Sequence, residues 1–270
     1  MQWTITAEQP EFPGGGVPQC PNVLLQTQHV SVSFNRNPVL RDINLTVSKG
    51  ESIAIIGESG CGKTVLLKTL IRLFEPTEGN VIFDGRDLAD LSYFELAQTR
   101  TRYGFVFQQA ALFDSMTIGE NVAFPLVQHT DKPKDEIKNI VIQLLEEVGL
   151  SADVAGKKPA ELSGGMRKRA GFARALALDP ELLLYDEPTT GLDPIMSGVI
   201  NELMISTRQK HNVTSVMITH DIKSAFKVAE RIIFLYPLTK LNEHTPQIIF
   251  DGTPDEMKQS NDKRVKQFIK

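Results

Sequence analysis

Residues 57–64 read GESGCGKT, so that Gly57, Glu58, Ser59, Gly60, Cys61, Gly62, Lys63 and Thr64 fit the spacing G-x-x-x-x-G-K-[ST]. Glycines in that spacing let a backbone wrap around phosphates, with successive N–H groups and the N-terminus of a following helix facing the anion. Lys63 then brings a charge to the β and γ phosphates, and Thr64 a hydroxyl to Mg2+. Cys61 reads as a small residue tolerated in the loop. A thiol near a helix N-terminus also has a lowered pKa, and alkylation there is expected to block nucleotide binding. A second candidate is LLLYDEP at 182–188. Asp186 emerges at the end of an apolar run, where a carboxylate can hold hydrated Mg2+. Glu187 follows on the other side of the pleat, placed to polarise an attacking water. An acidic pair after a strand is by itself usually a turn; beside a phosphate loop it completes a triphosphate site.

These residues need elements to hold them. ESIAIIG at 51–57 is a short apolar run ending in glycine, and TVLLKTLIRLF at 64–74 carries helix formers up to the turn EPTEG. Strand, loop and helix are therefore predicted around Lys63. Further strands are predicted at NVIFDG (80–85), RYGFVFQ (102–108), ELLLYDEP (181–188) and VTSVMITHD (213–221). Apolar strands alternating with helices imply a largely parallel sheet covered on both faces, with ligands at the carboxyl ends of the strands.

From about residue 109 to 178 the pattern changes to a helical insertion. Ile137, Ile140, Val141, Leu144, Leu145 and Val148 mark a helix with one buried face, and Gly149 marks its stop. Residues 1–22 read as a loose arm rich in Pro and Gly, and the charged stretch 251–270 as a terminal helix or tail.

A chain of 270 residues has room for one main domain. Its net charge of −4 argues against a broad basic surface for nucleic acid. Two cysteines are too few for a disulfide framework. No stretch approaches the length of a spanning helix, so the chain is not expected to cross a membrane itself. The N-terminus lacks the pattern of a secretory signal.

ELSGGMRKRA at 161–170 places Ser163, Gly164 and Gly165 at the start of a helix. A bare glycine backbone there is a concave donor site for an anion. With this motif the order GESGCGKT, FVFQQ, LSGGM, LLLYDEP, GLD and ITHD resembles the ATP-binding-cassette ATPases over nearly all of 23–253. The resemblance implies an α/β fold: a phosphate-loop nucleotide-binding domain over 23–250, with a mixed, largely parallel core sheet, an antiparallel β portion and a helical subdomain. It implies that Ser163, Gly164 and Gly165 bind the γ-phosphate on a second copy, which makes the working unit a homodimer. It casts Gln108 as the residue reaching metal and water, His220 as the switch histidine, Phe34 as the aromatic that stacks on adenine, with a core Phe as the rival reading, and Asp193 as the aspartate between the two sites. Met166 stands where the family commonly has Gln. Arg167, Lys168, Arg169 and Arg174 read as a solvated helix face.

Two readings of such a cassette compete: the motor of a membrane transporter, or a soluble repair or translation ATPase. The second class usually carries a long coiled-coil insertion or two cassettes, and neither pattern is present in this sequence. QQAALFDSMTIGENVAFPL, LSGGMRKRAGFARALALDP and DEPTTGLDPI resemble the Mla-type cassettes of Gram-negative bacteria, including the Met of the signature. That resemblance implies phospholipid traffic between inner and outer membranes and maintenance of lipid asymmetry. It also implies two permease copies, an MCE-class protein, a STAS-domain subunit and a place on the cytoplasmic face of the inner membrane. An amino-acid or metal importer ATPase would show the same chemistry.

Overall fold

The computed structural model describes residues 22–243 and 245–269, so the expected arm lies outside the described residues except for Asn22. The chain opens with β1 (Val23–Phe34) and β2 (Asn37–Ser48), joined by Asn35 and Arg36, whose φ angles of 50° and 65° make the two-residue turn that matches strand twist. Then come β3 (Ser52–Ile56), α1 (Lys63–Thr69), β4 (Glu78–Phe83), β5 (Arg86–Asp87), α2 (Tyr93–Arg100) and β6 (Tyr103–Val106). The helical insertion contains α3 (Ile118–His129), α4 (Lys134–Glu147) and α5 (Gly164–Leu176). The chain returns through β7 (Leu182–Asp186), α6 (Pro194–His211), β8 (Thr214–Thr219), α7 (Ile222–Val228), β9 (Arg231–Leu235) and β10 (Ile248–Gly252). Two short helices follow, α8 (Pro254–Gln259) and α9 (Lys263–Phe268).

Two sheets result. One is antiparallel, in the order β2-β1-β4-β5; the other runs β10-β9-β3-β8-β7-β6, parallel throughout except for β10. Every residue of β3, β7 and β8 is buried, which is why each strand carries an apolar run (Ile53–Ile56, Leu182–Tyr185, Val216–Ile218) flanked by a few buried polar residues. Alternate side chains serve different cores. Ile53, Ile55, Leu182, Leu184, Val216 and Ile218 pack toward the antiparallel sheet and α1. Ala54, Ile56, Leu183, Tyr185 and Met217 pack toward the helical insertion and α6 to α9. The expected mixed, largely parallel core with an antiparallel portion is the architecture found.

One expectation shifts, and one left open between helix and tail is resolved as helix. The helix predicted over 64–74 ends at Thr69: Arg72 adopts a φ of 54°, and the Arg100 guanidinium donates to the carbonyls of Ile71 and Arg72 at 3.1 and 2.7 Å. The charged C-terminal stretch folds as α8 and α9, with Met257 and Val265 fully buried in the same core as α6 and α7.

Within the insertion, α3 starts at a capping box of Thr117 and Glu120, and α4 buries Ile137, Val141, Leu144 and Leu145 before Gly149, at φ 71°, ends its turn. Asn121 of α3 is wholly buried. Its Oδ1 accepts from the Phe113 N–H at 2.7 Å and its Nδ2 donates to the Phe113 carbonyl at 3.1 Å, which ties the segment after β6 to the insertion.

Candidate functional site

The loop 57–62 leaves β3 at its carboxyl end and enters α1 at Lys63. Gly62 has φ 99°, and a Cβ there would meet Leu40 Cδ2 at 2.8 Å, so both conformation and space demand glycine. Gly60, at φ 81°, has nothing within 4 Å of its missing Cβ and stays open on the pocket side. A pocket of about 400 Å³ lies over this loop, lined by Ser59, Gly60, Gly62, Lys63 and Thr64 on one side. Val39, Val65, Gln108, Glu187 and His220 complete the lining.

Charges are already arranged. The Lys63 ammonium donates to the carbonyls of Gly57 and Glu58 at 2.8 and 3.0 Å, two of its three donors. The Thr64 hydroxyl donates to Asp186 Oδ1 at 3.3 Å. Burial at the end of β7 pushes the Asp186 carboxyl above its usual range, against the pull of Thr64, Lys68 and Lys63. Glu187 Oε2 accepts from the Thr190 hydroxyl at 3.0 Å and meets His220 Nδ1 at 2.8 Å.

The other predicted residues are dispersed. Phe34 is 41% exposed at the end of β1 and meets Phe74 edge-on, ring centres 5.3 Å apart, so it is not a core side chain. Ser163 caps α5 by accepting from the Met166 N–H at 3.3 Å; Gly164 is open, whereas a Cβ on Gly165 would meet Met196 Cε at 2.7 Å. These residues do not join Lys63 in one pocket of this chain: Gly164 lines a separate one with Gln108, Lys168 and Gly191. Asp193 caps α6, accepting from the N–H groups of Ile195 and Met196 at 2.9 Å each. Within the loop itself, Glu58 turns outward to pair with Lys240 at 2.6 Å.

The reading of Cys61 as an activated thiol needs correction. Its side chain is 2% exposed and packs into the core beneath the loop, and burial raises its pKa more strongly than neighbouring Lys63 lowers it. The basic face of α5 also differs from a solvated surface. Arg167 donates to the Leu162 carbonyl at 2.6 Å, Lys168 to Pro188 and Thr190 at 2.8 and 2.6 Å, and Arg169 to Gly149 at 2.6 Å. Arg174 donates to Ala110 and Ala111 at 2.7 Å each, the two residues after Gln108–Gln109, both at positive φ. Arg167 stays exposed and the other three are half-buried, yet each ties α5 to a loop carbonyl. No spacing rule announces them, because their partners are backbone carbonyls of distant loops.

Comparison with known proteins agrees with this geometry. The ABC transporter family profile matches residues 40–190. The chain is 40% identical over 247 residues to the intermembrane phospholipid transport system ATP-binding protein MlaF of Haemophilus influenzae, covering 92% of this chain and 90% of that protein. It is 38% identical over 268 residues to the probable ribonucleotide transport ATP-binding protein mkl of Mycobacterium bovis, covering 99% of this chain and 70% of that one. Among solved structures, the ATP-binding cassette MJ0796 in its post-hydrolysis dimer with ADP and Pi superposes with a TM-score of 0.75 at 31% identity, over 86% of this chain and 99% of that one. The structure of cbiO1 from Clostridium perfringens, part of the transporter complex cbiONQ, gives 0.77 at 27% identity over 88% and 92%. Among the described residues no helix is long and apolar enough to cross a membrane. A phosphate loop over α1, a carboxylate pair closing β7 and these likenesses together place the chain in the ABC transporter family, as an ATP-hydrolysing ATP-binding subunit.

Proposed function

We propose that this chain is the motor of a phospholipid transporter working between the inner and outer membranes to maintain lipid asymmetry, two copies driving two copies of a separate permease from the cytoplasmic face of the inner membrane. The observation that carries the cargo assignment is the 40% identity to a phospholipid transport ATP-binding protein over nine-tenths of both chains. An MCE-class protein and a STAS-domain subunit belong to the same proposal.

In the chemistry, the loop N–H groups and the Lys63 ammonium hold the triphosphate. The buried Asp186 carboxylate and the Thr64 hydroxyl form a hard oxygen donor pair that fits Mg2+, and a cation beside Asp186 offsets the burial that otherwise disfavours its charge. Held by these two residues, Mg2+ would supply positive charge against the phosphates. Glu187 takes the proton of the attacking water as its oxygen bonds to the γ-phosphorus and the bond to the β–γ bridging oxygen breaks, giving ADP and phosphate. His220 orients the Glu187 carboxylate, and Gln108 reaches the pocket beside it. Ser163, Gly164 and Gly165 of the second copy close over the γ-phosphate, so ATP binding joins the copies and hydrolysis releases them.

A second reading keeps the motor and changes the cargo, because the mkl relative named for ribonucleotide transport is 38% identical over 99% of this chain. Co-purification in mild detergent from the native membrane, with identification of bound subunits and small molecules, decides. A hydrophobic permease with an MCE-class protein and phospholipid supports the first reading. Amino-acid, metal or nucleotide cargo, or no membrane partner, removes it.

A further inference from the structure

Strands β9 and β10 pair as antiparallel neighbours, yet residues 236–247 connect them where roughly two to five residues close most hairpins. The base of the connection is pinned by the Tyr236 N–H donating to the Gln247 carbonyl at 2.9 Å. The excess chain reaches the outer side of the phosphate loop, behind the residues that line the pocket. Lys240 pairs with Glu58 of the phosphate loop at 2.6 Å. The Arg41 guanidinium, from β2, donates to the carbonyls of Asn242 and Thr245 at 2.8 and 3.0 Å.

Gln247 joins these parts. It is 1% exposed, and all of its amide is engaged with backbone. Its Oε1 accepts from the Arg41 N–H at 2.9 Å, and its Nε2 donates to the carbonyls of Val39 at 3.2 Å and Cys61 at 3.0 Å. The last bond matters most. The Cys61–Gly62 peptide is trans, so fixing its carbonyl on the Gln247 side turns the Gly62 N–H to the opposite side, and Gly62 lines the pocket. Val39 lines the pocket as well, and its carbonyl lies where a Cβ on Gly62 would be only 3.0 Å away.

We infer that the strap formed by residues 236–243 and 245–247 is a brace of the nucleotide site, with Gln247 and Lys240 as positioning residues that hold the Gly62 N–H, the phosphate loop and the β2 wall in binding geometry. This inference rests on the nucleotide reading of the pocket. By reciprocity, a strap that preorganises the loop for nucleotide must itself be stabilised by nucleotide to the same factor.

The test uses the full chain with Mg-ADP, which is not turned over. Gln247→Met keeps the bulk and loses the three bonds; its Kd for Mg-ADP is expected to weaken about tenfold, and its KM for ATP to rise with it while kcat at saturation changes less than twofold. Lys240→Ala, at a half-exposed position, is expected to weaken binding about two- to threefold. In the unmodified chain, backbone amides of 236–243 are expected to exchange more slowly with Mg-ADP bound, an effect a merely structural tie does not produce. If the unmodified chain binds no Mg-ADP, the reading of the pocket fails, and the brace with it. If it binds but a folded Gln247→Met binds equally well, the brace alone is overturned. Should that variant not fold, an unchanged Kd in Lys240→Ala together with unaltered exchange of the strap overturns it.

Discussion

His220 Nδ1 lies 2.8 Å from Oε2 of Glu187, on a carboxylate that the Thr190 hydroxyl also reaches at 3.0 Å. Glu187 holds this position with φ at 50°, a left-handed conformation that non-glycine residues rarely adopt. Its N–H is fixed on the Ile218 carbonyl at 3.0 Å, so the end of β8 sustains the strained turn after β7. The His220 ring therefore contacts directly the carboxylate that this strained turn presents.

Glu187→Gln keeps the shape and removes the proposed base. On the proposed mechanism the variant is expected to bind ATP and to dimerise with it while hydrolysing roughly 10²- to 10⁴-fold more slowly. Steady-state phosphate release and size measurement with ATP check both halves. Near-normal turnover would take Glu187 out of this role.

The thiol of Cys61 should be inert in the folded chain. Its burial raises the pKa, so at pH 8 less of it is thiolate than in a free cysteine, and the reagent has no access. Iodoacetamide is expected to modify Cys61 at least about tenfold more slowly in native protein than in denaturant, read by peptide mass spectrometry. Rapid native labelling would show that the loop opens readily.

What the sequence made legible follows from burial. Strands β3, β7 and β8 are covered on both faces, so their apolar runs were unambiguous, and the motif at 57–64 sat in the strand-to-helix context its chemistry needs. The end of α1 was misread because the residues that stop it carry the apolar side chains Leu70 and Ile71, buried like a helix face. Gln247 was invisible: its partners lie about two hundred positions away and are backbone atoms, which no residue pattern encodes. The side on which Cys61 would lie depends on how the loop turns over Leu40 and Val39, a tertiary fact.

Arg174 holds the segment after Gln108 by two bonds to carbonyls of Ala110 and Ala111, which stand at φ 61° and 47°. Its side chain is half-buried, and desolvation lowers its pKa. Arg174→Met preserves volume but leaves two carbonyls without a donor, at a cost of about 1–3 kcal/mol for each one left buried. Denaturant unfolding is expected to show a loss in that range, and ATP hydrolysis to fall more than ATP binding as Gln108 loses its support. Unchanged stability and turnover would mean that the segment holds itself.

Glu147 ends α4 in the helical insertion and pairs with His211 at 2.6 Å and with Lys210, both at the end of α6 in the core domain. Burial opposes its charge, yet the hydrogen bonds from Lys210 and His211 prevail and hold its carboxyl below the ordinary range. A carboxylate depressed in this way contributes stability that is complete above its unfolded pKa of roughly 4.3 and is lost as pH falls through the lower folded value. Glu147→Gln should therefore lower stability at pH 7 by an amount between the roughly 1 kcal/mol of an exposed pair and the 3–5 kcal/mol of a buried one. The difference between variant and parent should shrink as pH is lowered below about 4, because the parent's carboxylate is then protonated too. Urea unfolding at a series of pH values measures both quantities. A difference independent of pH would show that packing, not charge, ties the insertion to the core at this corner.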